Sequence, residues 1–134
     1  MEAEHLSRGA LARKSGVNAE TIRYYEKSGL VQDPPRSAGG HRLYGPVHVQ
    51  RLSFIRRCRE LGFSLDEIRN LLGLVDGGDY TCAEVLEVAK GHIADVRSRI
   101  RDLKLIEKAL LQMTSQCSGK QTRECAILNA LWKA

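Results

Sequence analysis

The sequence contains few of the patterns that define several large classes of protein. It has only three prolines among 134 residues and no run of alternating β-branched residues. Helical periodicity dominates instead, which predicts a mostly α-helical chain. The longest apolar runs, around Gly73, are far too short to cross a membrane. The first residues are acidic and lack the basic-then-apolar pattern of a signal peptide. These absences predict a cytoplasmic protein with no membrane association.

The usual signatures of catalysis are also missing. The sequence has no Cys-x-x-Cys pair, no Gly-rich cofactor loop and no cluster of His and Asp. A thiol-dependent enzyme would need an activated cysteine beside a base and a substrate pocket. The sequence therefore predicts a protein that is not an enzyme. In a reducing cytoplasm its four cysteines are expected to be free, metal-binding or redox-active rather than paired as disulfides.

Positive charge is concentrated in the first half of the chain. The formal net charge is +5, and residues 1–75 hold twelve Lys and Arg against eight Asp and Glu. Residues 76–134 hold nine against eight. A basic first half indicates a polyanionic partner, most simply DNA.

The first half also predicts a helix-turn-helix. Helices are expected at 8–15 and 19–27, with Gly16 ending the first and Asn18 capping the second. Two short helices joined by a tight turn are typical of this motif. The Pro34-Pro35 pair then excludes a long helix, and residues 41–44 are predicted as a short strand that closes a two-stranded wing. Further helices are expected at about 46–61 and 64–73.

The second short helix and the wing carry the candidate DNA-binding residues. Arg23 and Tyr24 are expected to face outward while Ile22 and Tyr25 pack inward. Arginine can bind guanine edges or phosphate, and tyrosine can donate to phosphate. The candidates combine basic, polar and aromatic groups in two adjacent elements: Asn18, Thr21, Arg23, Tyr24, Arg36, His41, Arg42 and Tyr44.

A long helix is predicted from about 82 to 116, after a break at 76–79. Alternating steps of four and three residues give a seam that is apolar at seven of nine positions: Val85, Ala89, His92, Val96, Arg99, Leu103, Ile106, Leu110 and Met113. A seam sustained over about four heptads favours a two-stranded coiled coil, and hence a dimer. The alternative is an amphipathic helix packed on its own domain.

Three motifs in order resemble the N-terminal winged-helix domain of the MerR family: GVNAETIRYYEKSGL, PPRSAGGHRLYG and RCRELGFSLDEIRNLL. The resemblance covers about residues 5–75, and the coiled coil and C-terminal cysteines extend it to nearly the whole chain. It implies a homodimer that binds a pseudo-palindromic promoter whose spacer is too long for RNA polymerase. Effector binding then makes the dimer, an activator and repressor of transcription, bend and untwist the DNA so that the two promoter boxes align. The expected organisation is a DNA-binding domain at 1–75, a linker and dimerisation helix at 76–116, and a metal-binding loop with a short helix at 117–134.

The spacing of the cysteines constrains any shared site. Cys82 begins the long helix and Cys117 follows its end, so about 52 Å of helix separates them within one subunit. In an antiparallel coiled coil, the start of one helix lies beside the end of its partner. Cys82 of one chain would then lie near Cys117 and Cys125 of the other, and twofold symmetry would generate two equivalent sites.

The segment between Cys117 and Cys125 resembles the metal-binding loop of MerR-family metal sensors, and it implies a metal site of Cys82, Cys117 and Cys125. Three thiolates without histidine favour a soft ion, and the triad resembles that of the mercury(II) sensors. Pb(II), Cd(II) and Zn(II) remain alternatives. The loop has seven residues, a length that matches the copper-type sensors and is one fewer than in the mercury type, although Cys82 argues against copper(I) and gold(I).

One further cysteine and one histidine are expected to have structural roles. Cys58 is predicted to be a packed side chain, and His92 a buried seam residue. An iron–sulfur sensor of the same family would need closely packed cysteines, which are absent. A zinc-binding structural coiled-coil adaptor remains the rival from another class, and the winged-helix motifs argue against it.

Overall fold

The computed structural model describes residues 5–116, 119 and 125–132. The chain divides into two compact units, residues 1–89 and 90–134. Within the described residues there are six helices, and β pairing is limited to isolated bridges. The helices are α1 (Arg8–Ser15), α2 (Ala19–Lys27), α3 (Pro46–Glu60), α4 (Leu65–Gly77), α5 (Cys82–Ser115) and α6 (Ala126–Trp132). The prediction of a mostly α-helical chain is confirmed.

Helices α1 and α2 have the predicted bounds because strong local signals mark their ends. The Ser7 hydroxyl accepts a hydrogen bond from the Ala10 N–H at 3.1 Å, and the Asn18 side chain accepts one from the Thr21 N–H at 2.8 Å. These are N-caps, which satisfy backbone donors that the first turn leaves without partners. Gly16, at φ 75°, ends α1 in the left-handed conformation that glycine adopts without strain.

The core of the first unit is formed by all four of its shorter helices together with the segments between α2 and α3. Leu11 comes from α1, Ile22 from α2, Ile55 from α3 and Ile68 from α4, and all four are fully buried. Leu30 and Val31, after α2, complete the packing with the other members of the cluster: Val17, Tyr25, Tyr44, Leu52, Cys58 and Leu72. This packing places one face of α2 in the core and leaves the other exposed.

The wing is shorter than the predicted strand. Arg42 forms an antiparallel bridge with Arg36, whereas Tyr44 forms one with Leu6, at the entry to α1. The strand expected at 41–44 is therefore divided between two partners, so no ladder can extend. Pro35 contributes only its carbonyl, which accepts from the Leu43 N–H at 2.8 Å, because proline has no N–H.

Helix α4 runs to Gly77, four residues beyond the predicted end at Gly73. A glycine inside a helix costs about 1 kcal/mol relative to alanine, which does not stop a helix whose Leu72 is buried in the core. A capping box of Ser64 and Glu67 starts α4, in agreement with the predicted start of this helix. Gly78, at φ 71°, ends it in the left-handed conformation.

Helix α5 is 34 residues long, so it spans about 50 Å. Thr81 caps its start, because the Thr81 hydroxyl accepts from the Glu84 N–H at 3.2 Å. In the second unit His92 is buried within the single chain, as expected, and its place in a dimer seam stays a prediction. Other seam side chains leave between 37% and 63% of their surface exposed: Val96, Leu103, Ile106 and Leu110. Helix α6 follows Cys125 and matches the predicted short C-terminal helix.

Candidate nucleic-acid interface and candidate metal ligands

Helix α2 presents a polar face beside the wing. Ile22 and Tyr25 are buried, whereas Arg23 and Tyr24 are exposed, as the helical periodicity predicted. Asn18 is exposed at the start of the helix, where its side chain is engaged as the N-cap, and Thr21 is half-buried one turn later. The N-terminal half of α2 is therefore accessible to a large ligand.

A basic cleft of about 560 Å³ lies between α2 and the wing. Its lining comprises five cationic and two acidic side chains: Arg8, Arg23, Lys27, Arg36 and Arg42, with Glu26 and Asp33. We call this the α2–wing cleft. A concave surface lined mainly by one sign of charge focuses the electrostatic field and attracts a polyanion.

The cleft brings together three of the residues selected from the sequence. Arg23 lies on the α2 wall, and Arg36 and Arg42 lie on the wing wall. Arg36 already uses one of its donors within the wing, because its Nη1 donates to the Gly40 carbonyl at 3.1 Å and closes the wing turn. Tyr24 and His41 are exposed but do not line the cleft.

Two cations of the cleft were missed by sequence reasoning. Lys27 lies four residues after Arg23, a spacing that places both on one helix face, so this signal was available. Arg8 opens α1 and reaches the cleft only through the tertiary fold. No local pattern in the sequence indicates that position.

Tyr44 lies inside the fold rather than on its surface. Its side chain is fully buried, and its hydroxyl donates to the Glu26 carboxylate while accepting from Arg8 Nε at 3.3 Å. Burial raises the pKa of Tyr44, the Glu26 hydrogen bond raises it further and the Arg8 hydrogen bond lowers it, so the hydroxyl stays protonated as a donor. A direct contact from Tyr44 to DNA stays a prediction that this burial does not favour.

The candidate metal ligands occupy helix ends. Cys82 is exposed as the first residue of α5, and Cys125 is half-buried immediately before α6, where its carbonyl accepts from the Asn129 N–H at 3.0 Å. Cys117 lies outside the described residues. Across the part of the chain that the structure describes, no three His, Cys, Asp or Glu side chains form a group able to hold a metal ion.

Cys58 differs from the other cysteines in its surroundings. It is packed in the core cluster, and burial raises the pKa of its thiol, an effect that the nearby Arg57 partly offsets. A thiol with a raised pKa is a poor metal ligand and a poor nucleophile at neutral pH. These surroundings agree with the packing role expected from the sequence.

No helix within the described residues is long and apolar enough to span a membrane. The fold instead combines a helix-turn-helix with a wing, and a basic cleft lies between the second helix and that wing. These features define a DNA-binding protein of the helix-turn-helix class.

The chain belongs to the MerR family. The model of the MerR HTH family regulatory proteins matches residues 6–74, and a second model, described as MerR, DNA binding, matches residues 49–113. The resemblance drawn from the three sequence motifs is therefore confirmed, and the family is one of transcriptional regulators.

Relatives in this family are named for different metals. The chain is 44% identical to a mercuric resistance operon regulatory protein of Bacillus cereus, covering 93% of this chain and 96% of that protein. It is 39% identical to the regulator ZntR of Escherichia coli K12, covering 92% and 89%. It is also 44% identical to the solved structure of PbrR691 from Ralstonia metallidurans in complex with lead(II), with a TM-score of 0.79 and coverage of 94% and 98%.

Proposed function

We propose that this chain is a metal-responsive transcriptional regulator that binds promoter DNA as a homodimer. In this proposal Hg(II) binds a three-cysteine site shared between subunits, and the dimer then distorts the DNA so that RNA polymerase can use the promoter. Residues 1–75 bind DNA, 76–116 link and dimerise, and 117–134 complete the metal site. The protein acts on DNA in the cytoplasm.

The α2–wing cleft is the observation that carries the DNA-binding part of this proposal. Arg23 from α2 and Arg42 from the wing line one groove, so both cations would be available to one segment of phosphate backbone. At the N-terminal half of α2, the exposed Asn18, whose Oδ1 caps the helix, and the half-buried Thr21 would face base edges. Phosphate contacts of this kind fix the register of the protein on DNA, and base contacts select the sequence.

DNA binding is tested with Arg23→Ala, measured by fluorescence anisotropy over a series of salt concentrations. We expect a loss of about 1–3 kcal/mol if Arg23 contacts a base edge, or a smaller salt slope with equal loss on all sequences if it contacts phosphate. The control is Arg101→Ala, which removes the same charge from an exposed, non-seam position of α5. Equal effects of the two variants would contradict the assignment of α2.

The uncovered seam of α5 supports the homodimer. Leu103, Ile106 and Leu110 expose more than half of their surface, and they recur at coiled-coil spacing. Apolar burial contributes about 25 cal/mol per Å², so pairing two such seams in antiparallel register would stabilise a dimer. The 50 Å helix would then bring the start of α5 beside the end of its partner.

The chemistry of the donors supports a soft metal ion. Cys82 has an exposed thiol at the start of α5, where it is accessible to a metal ion. Cys125 would join it from the partner subunit, together with Cys117. Hg(II) forms strong bonds with thiolates, and such bonds would link the two subunits at both ends of the coiled coil.

Replacement of Cys82, Cys117 or Cys125 by serine should abolish metal-induced transcription and leave DNA binding without metal nearly intact.

Lead is the second candidate ion, because a 44% identical relative was solved in complex with lead(II). A competition titration of the reduced protein with Hg(II), Pb(II), Cd(II) and Zn(II), followed by thiolate-to-metal absorption, separates the candidates. We expect Hg(II) to displace the other three from the same site. Retention of Pb(II) or Zn(II) against Hg(II) at equal free concentrations would reassign the effector.

A further inference from the structure

A buried carboxylate is among the side chains that line the α2–wing cleft. The Glu26 side chain is only 6% exposed, yet it lines a groove whose proposed ligand is a polyanion. Burial of a carboxylate is costly unless it is paired and hydrogen-bonded. Glu26 meets both conditions: Arg8 Nη2 lies 3.2 Å from its Oε2, and the Tyr44 hydroxyl donates to its Oε1. We call these three residues the Glu26 triad.

The Glu26 triad joins the three elements around the cleft. Arg8 opens α1, Glu26 lies in the last turn of α2, and Tyr44 lies at the base of the wing. Arg8 also donates to the Tyr44 hydroxyl, so each member of the triad contacts both others. The backbone of Tyr44 is fixed in turn by its two hydrogen bonds with Leu6, of 2.7 and 3.1 Å.

Each wall of the cleft carries a cation close in sequence to the triad. Arg23 precedes Glu26 by three residues, which is about one helical turn, and Arg42 precedes Tyr44 by two. The bond between Glu26 and Tyr44 therefore links the two segments that carry these cations. A fixed separation matters because successive phosphates of a DNA strand are regularly spaced.

We propose that Glu26 is a positioning residue for DNA binding: through Tyr44 and Arg8 it fixes the wing relative to α2, so that the cations of both walls engage one backbone together. This inference rests on the proposed DNA-binding function. It also reassigns Tyr44 from a contact with DNA to a support of the wing.

Removal of the Glu26 charge should change DNA affinity in opposite directions for a positioning role and for charge repulsion alone. A negative charge in the cleft repels DNA, so its removal should strengthen binding if charge alone mattered. Positioning predicts the opposite result. Asp33 is the matched control, because it is an exposed carboxylate in the same cleft. We expect Asp33→Asn to tighten binding by up to about threefold and Glu26→Gln to weaken it by about tenfold or more.

The experiment uses the full chain and a DNA duplex selected in vitro by the wild-type protein, with affinity measured by anisotropy across a salt series. Glu26→Gln, Tyr44→Phe and Asp33→Asn are compared at a temperature where circular dichroism shows each variant folded. Tyr44→Phe keeps the ring and the Glu26 charge, so it decides the matter if Glu26→Gln does not fold. Each triad variant is also combined with Arg42→Ala in a double-mutant cycle.

Positioning predicts that the triad variants weaken binding, reduce the salt slope, and cost much less once Arg42 is absent. If the triad only stabilised the fold, the folded variants would bind DNA with wild-type affinity and a wild-type salt slope, and the double-mutant cycle with Arg42→Ala would show no coupling energy. That result would overturn the proposal. Tighter binding by Glu26→Gln together with unchanged binding by Tyr44→Phe would also overturn it. If no duplex is enriched by the wild-type protein, the proposed DNA-binding function itself fails, which is a different result.

Discussion

Cys58 and Cys82 carry the same thiol in different surroundings. Cys58 is buried in the core with a raised pKa, whereas Cys82 is exposed at the start of α5. The thiolate is the form that reacts with alkylating agents. In the folded, reduced protein without metal, iodoacetamide should therefore modify Cys82 well before Cys58, as mapped by peptide mass spectrometry.

Unfolding supplies the control for this comparison. In concentrated urea both thiols are exposed, and their rates of modification should become similar. Equal rates in the native protein would mean that Cys58 is accessible, and its role as a packed side chain would then be wrong.

Local periodicity predicted the directions of the α2 side chains, but it could not predict the position of Tyr44. Ile22, Arg23 and Tyr25 follow the helical repeat, so three neighbouring residues sufficed to orient them. Tyr44 is buried because Leu6 pairs with its backbone and Glu26 binds its hydroxyl. Both partners are distant in sequence. The local composition could not reveal the burial, because a segment with basic and aromatic residues is also typical of an exposed wing.

Arg51 connects three segments of the first unit, namely α3, the segment after α2 and the end of α4. Its Nε donates to the Leu30 carbonyl at 2.6 Å, and its two terminal nitrogens bind the Asp76 carboxylate at 2.7 and 3.0 Å. Arg51→Ala leaves the Leu30 carbonyl without this donor and should lower the free energy of unfolding by about 1–3 kcal/mol. Asp76→Asn keeps the Leu30 bond and should cost less than about 1 kcal/mol, because the carboxylate is exposed to solvent. Urea titration at neutral pH measures both.

The ion pair between Arg51 and Asp76 should also make the free energy of unfolding depend on pH. The hydrogen bond from Arg51 holds the pKa of Asp76 below its ordinary value. Because the pKa of Asp76 is lower in the folded than in the unfolded protein, the ionised carboxylate stabilises the fold fully at neutral pH. This stabilisation declines as the pH falls below about 3.9, the ordinary pKa of aspartate, and it is lost below the folded-state pKa. The difference in unfolding free energy between wild type and Asp76→Asn should therefore shrink over this acidic range. A constant difference would show that the ion pair is not its source.

The starts of the capped helices were predictable and the pairing within the wing was not, for one physical reason. Ser7, Asn18 and Ser64 cap their helices through residues only three positions away, so the signal is contained in the sequence itself. The bridges of the wing depend on which distant backbone lies alongside. Helix α4 shows the same limit, because core packing of Leu72 carries it through Gly73 to Gly77.

Two leucines of α5 that are similarly exposed in the single chain test whether the protein forms a dimer. Leu103 and Leu105 expose 63% and 68% of their surface, but only Leu103 belongs to the heptad seam. Leu103→Lys should bury an unpaired charge in the dimer and cost several kcal/mol. Sedimentation should then detect monomers, and DNA binding should collapse, whereas Leu105→Lys should stay dimeric. Equal behaviour of the two variants would mean that α5 pairs through another face.

Mixed dimers test the shared metal site directly. Cys82→Ser and Cys117→Ser should each bind no Hg(II) with full thiolate coordination as homodimers. In a heterodimer, intact Cys82 of one chain can meet Cys117 and Cys125 of the other, which restores one complete site. After unfolding and refolding of an equal mixture, random pairing should recover about a quarter of the wild-type sites, measured by thiolate-to-mercury absorption. A site contained within one subunit recovers none, because every chain still lacks a ligand, and that result would refute the intersubunit arrangement while leaving the DNA-binding half of the function in place.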